Sequence, residues 1–428
     1  MSNKQSEFTS LGIAPALLET LNKLKYTSPT PIQAQAIPIA VQGKDVVGIA
    51  QTGTGKTLAF GLPMIQRLSQ IKGKGLIVLP TRELAAQVDE TLKKIGHSIN
   101  VRTALLIGGA SMFAQKQAIR RDPHIVIATP GRLIDHLNQK TIGLSKVGII
   151  VLDEADRMLD MGFAPQIKKI MDALPREKQT MLFSATMPPE IMKIATAYMK
   201  LPIRVEVAPS GTTSERVTQE IFVVRKDEKN RLLEKLLQQY QATTLIFTRT
   251  KFGAKRLTRA IIDMGHTAAE IHSNRSLGQR KEALEGFKAG KYRILVATDI
   301  ASRGIDVIGI GLVVNYDLPT NTEDYVHRIG RTARAGAGGH AISFAAPEQR
   351  GELRDIERLI RKSLPISKLP ADLPPARFQP KAQFYPERPQ RRGFGSRPSR
   401  PVFSPRHGGS RSGPFPRRPG QSSRFRRG

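Results

Sequence analysis

The 428-residue sequence contains no cysteine and no tryptophan, and aromatic residues make up only 5% of it. Without cysteine, disulfide bridges and thiolate metal sites are excluded, which fits a reducing compartment. No apolar run approaches the roughly 20 residues that a helix needs to cross a bilayer. Residues 1–10 also lack the basic-then-apolar pattern of a secretion signal. These absences predict a soluble protein of the cytoplasm.

Acidic residues are scarce relative to basic ones. The 36 Asp and Glu face 67 Lys and Arg, which gives a formal net charge of +31 and a pI near 10.6. Such an excess predicts an anionic polymer as partner. A membrane surface is the competing interpretation, but no basic amphipathic helix lies beside a lipid-anchor signal, so nucleic acid is favoured.

Short apolar runs of strand length alternate with amphipathic helical stretches through about the first 365 residues. Each run ends in a polar or glycine-containing motif: DVVGIAQTGTGKT (45–57), GLIVLPTREL (75–84), IVIATPGR (125–132), IIVLDEAD (149–156), TMLFSATM (180–187), TLIFTRT (244–250), ILVATDIASRG (294–304) and LVVNYDLP (312–319). Continuous apolar runs indicate strands covered on both faces, as in parallel α/β sheets. Ligands bind such sheets beyond the carboxyl ends of the strands, so all these motifs should meet at that edge.

The rhythm breaks once and then stops. Between about residues 201 and 218 the chain contains APSGTTSER, which indicates a linker between two domains. Beyond residue 364 it becomes rich in Pro, Arg, Gly and Ser, with fifteen Lys or Arg against two acids. A segment of that composition cannot bury enough apolar surface to fold alone. We predict domains at 1–208 and 218–364, a linker at 209–217 and a disordered tail at 365–428.

AQTGTGKT (50–57) comes close to the phosphate-binding pattern G-x-x-x-x-G-K-[ST] directly after a strand. Gly53 and Gly55 would let backbone N–H groups wrap a phosphate, and a helix beginning here would face it with its positive end. Lys56 would reach the β- and γ-phosphate oxygens, and the Thr57 hydroxyl would hold Mg²⁺. The predicted nucleotide contacts of this loop are Ala50, Gln51, Thr52, Gly53, Thr54, Gly55, Lys56 and Thr57. The alternative is a glycine-rich turn with an incidental Lys-Thr pair.

Three carboxylates follow the apolar run Ile149–Leu152. Asp153 is placed at a strand end to partner a nucleotide-bound Mg²⁺. Glu154 would orient or deprotonate an attacking water, and Asp156 would be structural or a relay. The alternative, a solvated acidic turn that opens a helix, weakens once GKT is found in the same domain.

The sequence resembles the DEAD-box ATP-dependent RNA helicases from about Phe8 to Leu364, and its tail is similar to those of the bacterial RhlE-type branch. The matching motifs occur in order: TPIQ (30–33), PTREL (80–84), GG (108–109), TPGR (129–132), DEAD (153–156), SAT (184–186), LIFTRT (245–250), ATDIASRGID (297–306) and HRIGRTARAG (327–336). The resemblance implies two tandem RecA-like domains, ATP and Mg²⁺ as cofactors, and RNA as partner.

The resemblance also implies residue roles. Gln33 would hydrogen-bond the adenine edge and Phe8 would stack on it, although TPIQ also reads as a helix start. RNA contacts are implied for Thr81, Arg82, Gly108, Gly109, Thr129, Gly131, Arg132, Arg280 and Thr298, each with a helix-cap or turn role as the alternative. Ser184 and Thr186 would bond Asp156 and report the nucleotide state to the domain interface.

HRIGRTARAG would complete the ATP site from the second domain, which has no GKT. Arg331 and Arg334 face the same side if the segment is helical, and as arginine fingers they would contribute on the order of 10³ to 10⁵ in rate. Asp306 and His327 would be interface contacts. The alternative is a basic helix that faces RNA.

Three positions depart from the family pattern. Ala333 stands where Gly is common, and Leu277 takes the place of Gln in a Gln-x-x-Arg pair that ends at Arg280. Ala50 replaces the first Gly of the loop, as it often does in this family. In the tail, phenylalanines alternate with arginines, which predicts a sequence-tolerant RNA tether, with a solubilising spacer as the alternative.

The expected function is RNA duplex unwinding or ribonucleoprotein remodelling driven by ATP hydrolysis, in ribosome assembly or RNA decay, by a core that is monomeric. A DNA-dependent ATPase and an ATP-gated RNA clamp that anneals without unwinding are the rivals.

Overall fold

The computed structural model describes residues 7–374, except residues 52, 208–216, 300–306, 308 and 334–337. Most of the predicted linker and the chain beyond residue 374, including the predicted tether, therefore lie outside the described residues, as do Thr52, Asp306 and Arg334. Among the helices of the described residues, none is long and apolar enough to cross a membrane.

Two seven-stranded parallel sheets form the framework. The first consists of β1 (Val46–Ile49), β2 (Lys74–Val78), β3 (Thr103–Leu106), β4 (Ile125–Ala128), β5 (Val147–Leu152), β6 (Gln179–Ser184) and β7 (Ile203–Glu206). The second consists of β8 (Val217–Val223), β9 (Thr244–Phe247), β10 (Ala268–Ile271), β11 (Ile294–Ala297), β12 (Leu312–Asn315), β13 (Gly339–Ala345) and β14 (Ile366–Ser367). The predicted fold of two tandem RecA-like domains with parallel sheets is confirmed.

Helices connect the strands. Those around the first sheet are α1 (Pro15–Lys23), α2 (Pro31–Val41), α3 (Lys56–Leu68), α4 (Arg82–Gly96), α5 (Met112–Arg120), α6 (Pro130–Asn138), α7 (Ala155–Asp160), α8 (Ala164–Asp172) and α9 (Pro189–Tyr198). Those around the second are α10 (Lys229–Gln239), α11 (Lys251–Asp263), α12 (Leu277–Lys288), α13 (Thr322–Ile329) and α14 (Arg350–Ile360).

The two sheets share one strand order. The first runs β3-β4-β2-β5-β6-β1-β7, and the second runs β10-β11-β9-β12-β13-β8-β14. Each strand of the second sheet therefore has a counterpart seven strands earlier. Motifs that follow counterpart strands occupy matching places, so the TRT motif after β9 corresponds to PTREL after β2.

Apolar side chains cover both faces of the first sheet. Along β5, Ile149 and Val151 pack into one hydrophobic cluster while Ile150 and Leu152 pack into another on the opposite face. All four residues of β1, β4, β9, β11 and β12 are buried. Burial on both faces is the physical reason why these strands are continuous apolar runs without alternation.

The second sheet carries a different loop where the first has its phosphate-binding pattern. Lys229 begins α10 after β8, as Lys56 begins α3 after β1. The Lys229 ammonium donates to Asp317 Oδ1 at 2.9 Å and to the Tyr316 carbonyl oxygen at 2.6 Å. The lysine at this matching position is thus paired with a carboxylate of the protein. Residues 217–228, which precede it, contain no glycine. Residues 224–228 of the second domain therefore do not form a glycine-rich phosphate loop.

The folded part continues ten residues past the boundary predicted at residue 364. Strand β14 adds to the edge of the second sheet beside β8, and Leu369 and Leu373 pack against its core. Arg231 donates to the carbonyl oxygens of Leu373 and Pro374. Composition missed this segment because a two-residue edge strand has no periodicity of its own.

Ala333, the departure from the family's glycine, has a backbone φ of 54°. A Cβ in this left-handed conformation costs roughly 1–2 kcal/mol, which glycine avoids. The structure thereby supplies the reason for the family preference.

Ala333→Gly is therefore expected to raise the free energy of unfolding by about 0.5–1 kcal/mol, because relief of the strain outweighs the greater freedom of the unfolded chain. Equilibrium urea unfolding measures it. The control is Ala260→Gly inside α11, which should lose about 1 kcal/mol. Equal losses in the free energy of unfolding for the two variants would contradict backbone strain at Ala333.

Candidate active site

The phosphate loop joins β1 to α3 and owes its shape to glycine. Gly53 and Gly55 have φ values of 88° and 90°. A Cβ on Gly55 would lie 2.3 Å from Nε2 of Gln33, so a side chain there would displace the Gln33 amide as well as strain the backbone. The Thr54 hydroxyl donates to the Gln51 carbonyl oxygen at 2.7 Å, which closes the turn. The loop ends at the first residue of α3, where unpaired N–H groups and the helix dipole suit a phosphate.

Lys56 and Asp153 are brought together at the carboxyl edge of the first sheet. The Lys56 ammonium lies 3.8 Å from Asp153 Oδ1 and donates to the Ala50 carbonyl oxygen at 3.1 Å. Both side chains are buried. Burial raises the pKa of Asp153 to about 6; Lys56 opposes the shift and Glu154 adds to it. The carboxylate is therefore held in a place where additional positive charge would stabilise it.

Glu154 carries backbone strain. Its φ and ψ are 52° and 50°, a left-handed conformation that is rare for a residue with a Cβ, and it immediately precedes α7. Its N–H donates to Asp153 Oδ1 at 2.9 Å, and its side chain is only 2% exposed. Strain of this kind persists only where the surroundings over-determine it, and it concentrates at functional sites.

Asp156 connects the DEAD turn to the SAT motif after β6. Its Oδ2 accepts hydrogen bonds from the N–H of Ala185 at 3.0 Å, the N–H of Thr186 at 2.9 Å and the hydroxyl of Thr186 at 3.0 Å. The Ser184 hydroxyl accepts from the N–H of Asp156 at 3.2 Å. The two motifs are one hydrogen-bonded unit, as expected of a pair that would work together.

Gln33 links the TPIQ segment to the phosphate loop. Its amide donates to the Gly55 carbonyl oxygen at 2.9 Å and accepts from the N–H of Thr30 at 3.0 Å. The alternative interpretation of TPIQ as a helix start is confirmed, because α2 begins at Pro31 with a capping box. Phe8 is fully buried in the adjacent core. Adenine contacts by Gln33 and Phe8 stay predictions.

The candidate RNA residues of the first sheet follow β2, β3 and β4, which are neighbours at one side of the sheet. The nucleotide candidates follow β1, β5 and β6 on the other side. The edge is thus divided into two halves, and the division depends on the strand order alone.

Arg82 and the two glycines form the centre of the RNA half. A Cβ on Gly109 would lie 2.3 Å from Arg82 Nη1, and one on Gly108 would lie 3.1 Å from Nη2. The guanidinium therefore lies across a glycine surface that any side chain would disturb. Arg132 donates to the Ala110 carbonyl oxygen at 3.1 Å, which joins the TPGR motif to the same patch.

Other RNA candidates have local roles in the structure. Thr81 caps α4 and accepts from the N–H of Leu84 at 3.3 Å. Thr129 precedes α6 without a side-chain cap, and Gly131 has open space around its Cα. Thr298 follows β11 and is half-buried. RNA contacts by Thr81, Thr129, Gly131 and Thr298 stay predictions.

Arg280 is buried and pairs with Glu83, which lies on α4 beside the first sheet. Its Nη2 lies 2.7 Å from Glu83 Oε2, and both side chains are less than 9% exposed. Burial raises the pKa of Glu83, and the charge of Arg280 opposes that rise. Glu83 belongs to PTREL but was not among the predicted site residues, because the motif alone does not indicate a partner some 200 residues away.

The second sheet contributes a wall of charged residues. Arg328 pairs with both carboxylate oxygens of Asp299, at 2.6 and 2.8 Å, and its Nη1 also donates to Asn315 and to the Asp317 carbonyl oxygen. The Arg331 Nε donates to the His327 carbonyl oxygen at 3.2 Å. The helical conformation on which a shared face for Arg331 and Arg334 depends is not present at Arg331, since α13 ends at Ile329 and turn hydrogen bonds follow.

A small cavity, partly open to solvent, lies at this wall. Its lining comprises Arg157, Phe247, Asp299, Asp324, His327, Arg328 and Arg331. Of these residues, only Arg157 comes from the domain of the first sheet, where it lies on α7 directly after the DEAD motif. Arg331 and His327, predicted as partners of the ATP site, thus face a residue of that site's own turn. Sequence reasoning missed Arg157, Asp299, Asp324 and Arg328, although Asp299 and Arg328 lie within the ATDIASRGID and HRIGRTARAG motifs.

Two parallel sheets with a lysine-bearing phosphate loop on one and a wall of arginines on the other define a class of protein: a two-domain nucleoside triphosphatase. Comparison with known proteins gives the family. Residues 30–194 match the DEAD/DEAH box helicase family, and residues 228–336 match the helicase conserved C-terminal domain.

Curated relatives agree over most of the chain. The chain is 41% identical over 372 residues to an ATP-dependent rRNA helicase, RRP3, of Debaryomyces hansenii, covering 86% of this chain and 78% of that one. It is 42% identical over 360 residues to the DEAD-box ATP-dependent RNA helicase CshA of Bacillus cereus, covering 83% and 69%.

Solved structures agree as well. Dbp5 of S. cerevisiae bound to RNA and ADP BeF3 is 28% identical, with a TM-score of 0.76 and coverage of 85% of this chain and 95% of that one. Mss116p bound to ssRNA and AMP-PNP is 27% identical, with a TM-score of 0.77 and coverage of 85% and 78%. The chain belongs to the DEAD-box RNA helicase family, and it is an enzyme, an RNA-stimulated ATPase.

Removal of Arg280 is expected to separate the two sheets, because Glu83 would be left buried without its partner. Breaking a buried pair from one side costs about 3–5 kcal/mol, and opening returns Glu83 to water. Arg280→Met should lower energy transfer between dyes on cysteines introduced at Lys168 and Lys255, both exposed in a chain without native cysteine.

The double variant Glu83→Gln with Arg280→Met should recover part of the lost energy transfer, because no charged group is then left buried without a partner. Lys281→Met, at an exposed position one residue further, is the control. An unchanged signal for Arg280→Met would show that the pair does not hold the sheets together.

Proposed function

We propose that this chain couples ATP hydrolysis to local unwinding of short RNA duplexes or to ribonucleoprotein remodelling. The observation that carries the proposal is the division of one sheet edge. Lys56 and Asp153 lie 3.8 Å apart on its nucleotide half, and the Arg82–Gly108–Gly109 patch lies on the other half. A ligand on either half contacts the same rigid sheet, so the affinity for one can depend on the other.

In the proposed cycle, residues 1–208 hold ATP and residues 218–364, extended here to 374, close over it. Lys56 binds the β- and γ-phosphates, and Glu154 orients the attacking water and takes up its proton. Arg331, together with Arg334, stabilises charge that develops on the γ-phosphate. Asp306 and His327 contribute across the interface, and Asp156 with Ser184 and Thr186 carries the nucleotide state to it. Hydrolysis breaks the bond between the β- and γ-phosphates of ATP, and the second domain then moves away from the first.

Mg²⁺ fits the residues present. Asp153 is a buried carboxylate whose charge burial disfavours, and Thr57 supplies a hydroxyl in the first turn of α3. No group of three or more carboxylate or histidine side chains suited to a metal occurs among the described residues. Mg²⁺ therefore would take its remaining ligands from phosphate and water, as it commonly does. When bound, it neutralises phosphate charge.

RNA contacts in this proposal go to the backbone. Threonine hydroxyls, glycine N–H groups and arginines suit phosphates and carry no sequence information. The RhlE-type branch, a role in ribosome assembly or RNA decay, a monomeric core and a cytoplasmic location are the finer parts of the proposal. A relative named as an rRNA helicase supports the first of the two roles.

Glu154→Gln tests the cycle. The substitution keeps the shape of the side chain but removes the base, so the RNA-stimulated kcat should fall by about 10²- to 10⁴-fold. ATP-dependent RNA binding should persist. Steady-state phosphate release and fluorescence anisotropy of a short RNA measure the two. Glu190→Gln, the same change at an exposed site on α9, is the control.

Duplex separation that survives in Glu154→Gln with multiple turnovers would mean that the ATPase cycle does not drive unwinding. Strand annealing at full rate with no ATP-dependent separation by the unmodified protein would favour the annealing clamp.

Truncation after Pro374 tests the proposed tether and leaves β14 in place. Loss of its arginines should reduce the slope of log affinity against log salt concentration by up to about 0.7 per lost single-strand phosphate contact. RNA binding measured from low to high salt gives that slope. A tail of scrambled sequence should restore it. Affinity that falls equally at all salt concentrations would contradict electrostatic tethering.

A further inference from the structure

Arg157 is a charged side chain that lies buried next to the DEAD motif. It lies in the first turn of α7, three residues after Glu154, and is 1% exposed. Its Nη1 is 3.4 Å from Glu154 Oε2. Within the described part of the chain, none of its three guanidinium nitrogens makes a hydrogen bond.

Such burial is costly. A guanidinium has five N–H donors, and removing an ion from water costs several kcal/mol even after the protein relaxes. A methionine or leucine would fill the same space with no such cost. The charge at this position is therefore unexplained by packing and calls for a partner that its surroundings supply.

The surroundings belong to the second sheet. Arg157 lines the cavity whose remaining wall carries two carboxylates, Asp299 and Asp324, beside the cations Arg328 and Arg331. Arg328 is fixed by Asp299 and lies 5.0 Å from the centre of the Phe247 ring. The wall is thus rigid and mixed in charge, and it meets a guanidinium whose other neighbour is the carboxylate of Glu154.

We propose that Arg157 is a positioning residue that ties the Glu154 carboxylate to the second-sheet wall of this cavity. The proposal rests on the proposed function, in which Glu154 acts on the attacking water. The strained backbone of Glu154 does not by itself fix the direction of its side chain, whereas a guanidinium wedged between that side chain and the wall does. The base then has its working orientation only when the second sheet is in place, which makes hydrolysis depend on closure.

Arg157→Met is the informative variant, because it keeps the volume and removes the charge. We expect kcat of the RNA-stimulated reaction to fall by about 10²-fold, the loss that a displacement of about 1 Å can cause. The KM for ATP and the affinity for RNA in the presence of a non-hydrolysable ATP analogue should stay within about twofold. Arg157→Lys should recover part of kcat, since it restores charge without the planar fork.

Two controls make the result specific. Arg358→Met removes an arginine from a pair with the same three-residue spacing, Arg358–Asp355, at an exposed site, and should leave kcat unchanged. The double variant Glu154→Gln with Arg157→Met should be no slower than Glu154→Gln alone, because residues that act as a unit are not additive.

The outcomes separate the inference from the proposed function. Full turnover of ATP by Glu154→Gln would contradict the proposed function. If Glu154→Gln is inactive but Arg157→Met keeps its kcat, or changes only its KM for ATP, the positioning role alone is overturned. If thermal unfolding shows that Arg157→Met does not fold, Arg157→Gln and Arg157→Lys take its place. Equal kcat for wild type and Arg157→Gln would then overturn the role.

Discussion

The proximity of Lys56 and Asp153 is the constraint on which the rest of the site depends. Each residue follows the carboxyl end of a buried parallel strand, and β6 alone separates those strands. The ammonium and the carboxylate are therefore held 3.8 Å apart by the sheet itself, out of water. Glu154, Asp156 and Arg157 follow on the same turn, so each is positioned by the strand that presents Asp153. A site made from independent loops would have no such common reference.

Duplication of the strand order explains why the second sheet complements the first. Matching strands present matching edges, and the difference lies in the loops that leave those edges. After β1 a glycine-rich loop leaves room for phosphate, whereas after β8 Lys229 is bound to Asp317. One sheet therefore offers a pocket and the other offers arginines. Arg328 is bound to Asp299 and stiffens this wall, which leaves Arg331 and the cavity beside it to meet the DEAD turn.

Charged residues take part in the contacts between the two sheets. The Glu83–Arg280 pair is buried, and the Arg157 cavity carries carboxylates and guanidinium groups side by side. Charged interfaces of this sort are costly to desolvate and can be exchanged for water or for an anionic ligand. That property would suit the proposed cycle, in which the two sheets approach and part.

The order of apolar runs and polar motifs in the sequence was enough to predict two parallel sheets, the phosphate loop and the meeting of Lys56 with Asp153, because these follow from local burial and from the common edge of parallel strands. The end of α13 before Arg331, the strand at Ile366 and the conformation of Ala333 needed the structure, since each is set by packing that leaves no periodic trace. The partner of Arg280 and the second-sheet residues that line a cavity with Arg157 were decided by tertiary structure alone. A charged side chain pairs with whatever carboxylate the fold brings near, and nothing in its neighbouring sequence encodes a contact made between two separate sheets.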